Sequence, residues 1–262
     1  MASGPERLGY WWDERAFGLE GRGLLLSTAI TNLSLVAACT LALLVAAFAI
    51  FPLGPGFIIV TLVTLAIIFA LVLRALPGHG HDRFGPANLV TSIRAGLVSL
   101  TAGALVSSER LAGDPVALWT LLGIVLIAFA LDGIDGYLAR RFEVESSFGA
   151  RFDMEVDAFL ILLLSLAALL LDKVGAWVVL IGLMRYGFLA WGHFSPKLNG
   201  SLPPSFRRKL VCVVQVAALC AILVPFVSSD VATAIAAIAL AALVYSFAVD
   251  IRYLLARPGV ER

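Results

Sequence analysis

The chain has 262 residues, of which 61% are hydrophobic and 14% charged, with a mean hydropathy of +0.98 and a formal net charge of +1. A soluble domain carries roughly half apolar and a quarter charged residues, so this composition excludes a water-solvated fold and makes lipid the solvent. The small net charge offers nothing to a nucleic acid, and Cys39, Cys212 and Cys220 all fall in apolar runs without disulfide or metal-ligand spacing.

Residues 1–23 are mixed polar and aromatic and form a cytoplasmic segment, within which "RLGYWWDERAFGL" suits a short amphipathic helix on the inner leaflet. The first apolar run is too long for a secretory leader and lacks a small-residue cleavage site, so a retained span is expected. A span needs about 20 apolar residues. The segments that meet this are Leu24–Ile50, Phe57–Leu76, Asn88–Ser107, Pro115–Leu131, Phe148–Leu171, Val174–His193, Lys209–Val227 and Val231–Leu255. "FPLGPG", "PGHGHDRFGP" and "SPKLNGSLPPS" break helices between them. His79 and His81 are expected to be solvated in the second of these connectors. The expectation is an all-α polytopic membrane bundle of about eight transmembrane helices, with 24–83 as an N-terminal pair and 257–262 as a cytoplasmic tail.

Lys and Arg orient the bundle. With the N-terminus in the cytoplasm, only Arg110 and Lys173 fall on the outer side, Arg94 and Arg185 fall within spans, and every other basic residue lies inside. Both termini are therefore expected to be cytoplasmic. Trp119 and Trp177 reach the outer interface, and Trp11, Trp12 and Trp191 the inner one.

Four aspartates collect at the inner side. Asp132 and Asp135 are three residues apart near the end of the fourth span, and Asp153 and Asp157 four apart at the start of the fifth. Both spacings stack side chains on one helical face. A short connector makes the helices antiparallel, so the pairs can face each other. Facing carboxylates repel unless a cation lies between them, and a hard divalent ion bound partly by substrate phosphates is the natural partner. Gly136, Ala139 and Gly149 allow close approach, and Arg140 offers a bidentate phosphate contact. Arg94, one or two turns inside a span, is itself a functional flag. Solvated interfacial charges are the plain alternative for any one of these acids. Glu143, Glu145 and Glu155 fit that account, and Asp114, Asp172 and Asp230 suit helix caps.

Residues 132–157 read D-x2-D-G-x2-A-R-x8-G-x3-D-x3-D, through Asp132, Asp135, Gly136, Ala139, Arg140, Gly149, Asp153 and Asp157. This run resembles the signature of the CDP-alcohol phosphotransferase family of membrane enzymes at every fixed position and gap. "GPANLVTSIRAG" is similar to the family's P-N-x-x-T-x-x-R stretch, with Ala87 inserted after Pro86. The resemblance implies a six-helix catalytic core over 84–256, preceded by the two extra helices. It implies that Asp132, Asp135, Asp153 and Asp157 ligate two ions, Mg2+ or Mn2+, and that Asp157 also acts as general base. Asn88, Thr91, Arg94, Gly136, Ala139, Arg140 and Gly149 would hold the CDP-linked donor.

The implied reaction is transfer of a phosphatidyl group from CDP-diacylglycerol to a small polar alcohol with release of CMP, at a site on the cytoplasmic side of a bacterial inner membrane. Arg151, Arg185, Arg207, Arg208 and Lys209 would suit a phosphorylated acceptor such as glycerol 3-phosphate or inositol phosphate. "RRKLVCVVQ" is similar in Lys209 and Gln215 to a stretch of the family's glycerol-phosphate branch, and departs from it at Val211 and Cys212. The alternatives are a free acceptor (inositol, serine, choline), a CDP-alcohol donor with diacylglycerol as acceptor, and, in a different class, a transporter. A transporter would place its acids near the bilayer midplane. Small-residue helix faces would permit a homodimer.

Overall fold

The structure, a computed structural model, describes residues 19–51, 53–141, 146–194 and 205–256, except for the side chains of residues 19–22, Asp135, 137–140, His193 and Phe194. The amphipathic stretch within residues 1–23 lies mostly outside them. The described residues form helices only: α1 (Leu19–Ile50), α2 (Pro55–Ala75), α3 (Pro86–Leu105), α4 (Ser108–Gly113), α5 (Pro115–Arg141), α6 (Ser147–Leu170), α7 (Val179–Phe194), α8 (Phe206–Leu223) and α9 (Ser229–Ala256), with 3-10 turns at Leu76–Gly78 and Ala176–Val178. Each of the eight apolar segments becomes a helix, and the all-α membrane bundle follows. The short α4 was not expected. It fills the connector between α3 and α5 and buries Leu111.

Local chemistry sets the helix starts. Proline opens α2, α3 and α5, where its missing N–H costs nothing. Asp114 caps α5, its Oδ1 accepting from the amides of Val116 at 2.9 Å and Ala117 at 3.2 Å. Ser146 caps α6, its Oγ accepting from the Gly149 amide at 2.9 Å. Gly85, just before Pro86, has φ of 77°, a conformation that strains any residue with a Cβ.

Five helices are long and apolar enough to cross a membrane unaided: α1, α2, α3, α5 and α9. Among the others, α6 opens with Arg151, Asp153, Glu155 and Asp157, α7 has 16 residues, and α8 opens with Arg207, Arg208 and Lys209. Their polar ends gather at one end of the bundle.

The third helix is the centre. It buries Asn88, Thr91, Ser92, Arg94, Ser99 and Thr101 along with its apolar residues. Polar groups cannot face hydrocarbon without cost. Its hydroxyls turn back onto their own helix: Ser92 donates to Asn88 O at 2.8 Å, Ser99 to Ala95 O at 2.8 Å and Thr101 to Leu97 O at 3.0 Å. On one side α3 packs against α5 and α6, on the other against α1 and α2. The lipid-facing sides of α1 and α2 carry exposed Leu35, Val45, Ile59, Ile67 and Leu71.

Lipid supplies no hydrophobic drive between helices, so this packing depends on close approach over small residues. A Cβ on Gly96 would lie 2.4 Å from Thr40 Oγ1 of α1, and one on Gly103 would lie 2.1 Å from Thr61 Oγ1 and 2.6 Å from the Phe57 carbonyl of α2. At the far end, Lys173 follows α6 and donates to the carbonyls of Val224 at 3.3 Å, Pro225 at 3.1 Å and Val227 at 2.9 Å. These carbonyls lie just past the C-terminus of α8, and one ammonium thereby ties α6 to α8.

Gly103→Ala drives a methyl into backbone and is expected to destabilise the bundle by roughly 1–3 kcal/mol. Gly123→Ala, with nothing within 4 Å of the added Cβ, serves as control. Thermal unfolding in detergent should show a lower midpoint for Gly103→Ala alone. Equal midpoints would remove close α2–α3 packing from the account.

Candidate active site

Three helices build the site. The N-terminal half of α3 supplies Asn88, Thr91 and Arg94, the last third of α5 supplies Asp132 and Gly136, and the first half of α6 supplies Gly149, Asp153 and Asp157. In α5 the helix continues past Leu131 to Arg141, so Asp132 and Asp135 stand within it rather than at its end. The side chains of Asp135, Ala139 and Arg140 lie outside the described residues.

Carboxylate oxygens of Asp132, Asp153 and Asp157 come within 4.8 Å of one another. Arg94, with a side chain only 1% exposed, is inserted among them. Its Nη1 lies 3.2 Å from Asp132 Oδ1 and also donates to Asp153, while Nη2 donates to Asp157. Its Nε donates to the Ala128 carbonyl of α5 at 3.1 Å. One guanidinium thus spans three acids and two helices. The acids are a fifth to a third exposed, at 31%, 33% and 21%. A buried cation is costly unless paired and hydrogen-bonded, and here each group offsets the other. The donor set, three hard carboxylates in reach of one another, fits a divalent cation by both chemistry and spacing.

Gly149 has a steric reason. A Cβ there would sit 2.8 Å from Asn88 Oδ1 and 3.1 Å from Ser146 Oγ. The missing side chain lets the start of α6 lie against the start of α3. Asn88 is buried and donates from Nδ2 to the Phe84 carbonyl at 2.5 Å. Thr91 is buried one turn on, its hydroxyl donating to the Ala87 carbonyl at 3.1 Å.

The basic residues fall into two clusters. Arg185 of α7 pairs with Glu155 of α6 at 2.5 Å, and its Nε is buried without a hydrogen-bond partner among the described residues. Arg151, one turn before Glu155, is electrostatically coupled to both. On α8, Arg207 donates to Ser246 O at 2.5 Å, Ser246 Oγ at 2.6 Å and Asp250 Oδ1 at 2.5 Å, and Arg208 Nη1 lies 3.3 Å from the same Asp250 oxygen. Asp250 is therefore a buried partner of α8. Lys209 is exposed. Gln215 donates from Nε2 to the Ala239 carbonyl of α9 at 2.9 Å.

Two residues near the site escaped the sequence reading. Cys212 of α8 places Sγ 3.9 Å from Asp157 Oδ2, so α8 closes one wall. His79, expected in solvent, is 3% exposed and meets Ser146 at the α6 cap. Ser146 itself had a legible signal, a serine three residues before Gly149 at the start of an apolar run.

A family model described as CDP-alcohol phosphatidyltransferase matches residues 84–246. Comparison with curated proteins and with solved structures gave no significant match.

Arg94→Gln leaves three acids without their buried counter-charge. In EDTA the variant is expected to be less stable than the parent by roughly 2 kcal/mol, a value moderated by the partial exposure of the acids. Added Mg2+ or Mn2+ should recover most of that loss in a thermal unfolding assay. A variant as stable as the parent in EDTA would show that Arg94 does not neutralise the acids.

Proposed function

The chain belongs to the CDP-alcohol phosphatidyltransferase family, and from that premise we propose that it transfers a phosphatidyl group from CDP-diacylglycerol to a polar alcohol, releasing CMP. The family makes the protein an integral membrane transferase of phospholipid synthesis. CDP-diacylglycerol as donor, a phosphorylated acceptor, and a cytoplasmic site in a bacterial inner membrane are our reading. The observation that carries it is the convergence of Asp132, Asp153 and Asp157 around one buried guanidinium.

Asp132, Asp153 and Asp157, with Asp135, would hold two divalent ions. When bound, Mg2+ or Mn2+ would offset the charge of the donor diphosphate and of the departing CMP. The remaining steps belong to the chain. Asp157 takes the proton of the acceptor hydroxyl, whose oxygen then forms a bond to the lipid-side phosphorus. The bond from that phosphorus to the oxygen of CMP breaks, and the nucleotide leaves with the electron pair. Arg94 orients Asp153 and Asp157 through one hydrogen bond to each, so the base and a ligand stay in fixed relation. Gly136, Ala139, Arg140 and Gly149, together with Asn88 and Thr91, would line the nucleotide side. Positioning and electrostatics supply most of the rate.

Arg185 favours an anionic acceptor. Its Nε has no partner among the described residues, and Arg151 lies close by. Arg207, Arg208 and Lys209 would extend this basic wall. Arg207 and Arg208 pair with Asp250 as Arg185 pairs with Glu155, and it is the buried Nε of Arg185 that ranks this residue first. Small faces on the outer helices would permit a homodimer.

The test is CMP release by purified protein in nanodiscs with CDP-diacylglycerol and Mg2+. The acceptors to screen are glycerol 3-phosphate, inositol phosphate, inositol, serine and choline, and CDP-choline with diacylglycerol is a separate arm. Phosphorylated acceptors should support turnover, and Arg185→Gln should raise their KM more than it lowers kcat. Asp157→Asn should reduce CMP release by about 10²–10⁴-fold while leaving the thermal midpoint near that of the parent. Turnover by Asp157→Asn at the parental rate would remove Asp157 as base, and CMP release only in the CDP-choline arm would reassign the donor.

A further inference from the structure

His79 belongs to the connector between α2 and α3, ahead of the family-matched residues 84–246. Its Nε2 lies 2.9 Å from the Arg83 carbonyl, which accepts only, so Nε2 carries the hydrogen. Nδ1 is then the acceptor and takes the hydroxyl hydrogen of Ser146 at 3.1 Å. The same Ser146 oxygen accepts from the Gly149 amide. Asn88 Nδ2, 3.4 Å from Nε2, donates one of its two hydrogens to the Phe84 carbonyl. Both ring nitrogens are thus used, an arrangement that the uncharged imidazole fits. Burial holds the His79 pKa below its ordinary value, His81 adds to this, and the Arg83 carbonyl opposes it.

Aromatic packing fixes the ring itself. His79 meets Phe148 edge-on at 5.3 Å and Phe84 at 6.4 Å, and Phe84 and Phe148 are 6.4 Å apart. The Phe84 amide in turn donates to Thr28 Oγ1 of α1 at 3.3 Å. The N-terminal helix pair therefore reaches the first turn of α6 through a continuous chain of contacts.

We propose that His79 is a positioning residue for the aspartate centre: by bridging the Arg83 carbonyl to the Ser146 cap, it fixes the start of α6 against α3 and so sets where Asp153 and Asp157 stand relative to Arg94. Asp153 lies about two turns beyond Ser146 on the same helix, so a shift of the cap is carried along α6 to it. Gly149, with no room for a Cβ against Asn88, marks how closely the two helix starts must meet. This inference rests on the reading that these aspartates hold a divalent cation, and it is tested without turnover.

The panel is His79→Phe, which keeps an aromatic ring and removes both hydrogen bonds, Ser146→Ala, the double variant, and Ser146→Thr. Mn2+ binding to purified protein in nanodiscs is read by electron paramagnetic resonance. Each of the first two variants should weaken binding by about tenfold. The double variant should be no weaker than the weaker single, and Ser146→Thr should bind as the parent does. In EDTA, hydrogen exchange at residues 147–153 should be faster in His79→Phe than in the parent, a readout that needs no metal. Parental Mn2+ affinity in His79→Phe, additive losses in the double variant, or parental exchange over 147–153 would each overturn the proposal. If His79→Phe fails to fold, a loss in Ser146→Ala restored in Ser146→Thr supports it, and equal affinities overturn it. A parent protein that releases no CMP would overturn the proposed reaction and leave the exchange result standing.

Discussion

A single guanidinium held between three carboxylates is the constraint on which the bundle depends. Arg94 is almost wholly buried, and such a cation is tolerable in a membrane protein only where acids neutralise it. The acids are tolerable together only because Arg94 is there. Mutual dependence of this kind fixes three helices at once: α3 brings the cation, α5 brings Asp132 and the Ala128 carbonyl, and α6 brings Asp153 and Asp157. Side-chain burial, helix crossing and site geometry are in this sense one problem with one solution.

The same constraint explains the extra helices. A helix carrying Asn88, Thr91, Ser92, Arg94, Ser99 and Thr101 cannot lie against acyl chains on either side. The N-terminal pair covers the side that α5 and α6 leave open. Gly96 and Gly103 bring the covering helices close enough to do so. The pair lies outside the family-matched segment, yet it touches the helix that the site needs most, and its connector carries His79 to the α6 cap.

Much of this was legible in the sequence, for identifiable reasons. Long apolar runs and proline starts located the eight main helices within about five residues, the end of α5 excepted, because a bilayer imposes a length and proline imposes a boundary. The aspartate pairs were legible because spacings of three and four have a direct meaning on a helix. What stayed hidden was non-local. His79 looked like a solvated loop residue, since nothing near it announces Phe148 and Ser146 some seventy positions on. Arg207 and Arg208 looked like free basic residues, and their partner Asp250 comes from another helix. α5 was cut short at Leu131 because hydropathy falls at Asp132, although the backbone remains helical to Arg141. The pairing of Arg94 with all three acids had no local signature at all.

Lys173 lies at the opposite end of the molecule from the aspartates and spends its ammonium on three carbonyls past α8. Two parallel rods fastened at one tip move like tweezers: they can spread at the free tips but cannot slide past each other. Any widening of the wall between α6 and α8, where Cys212 meets Asp157, would thereby be confined to the end that holds the chemistry, with the axial register of the two rods kept.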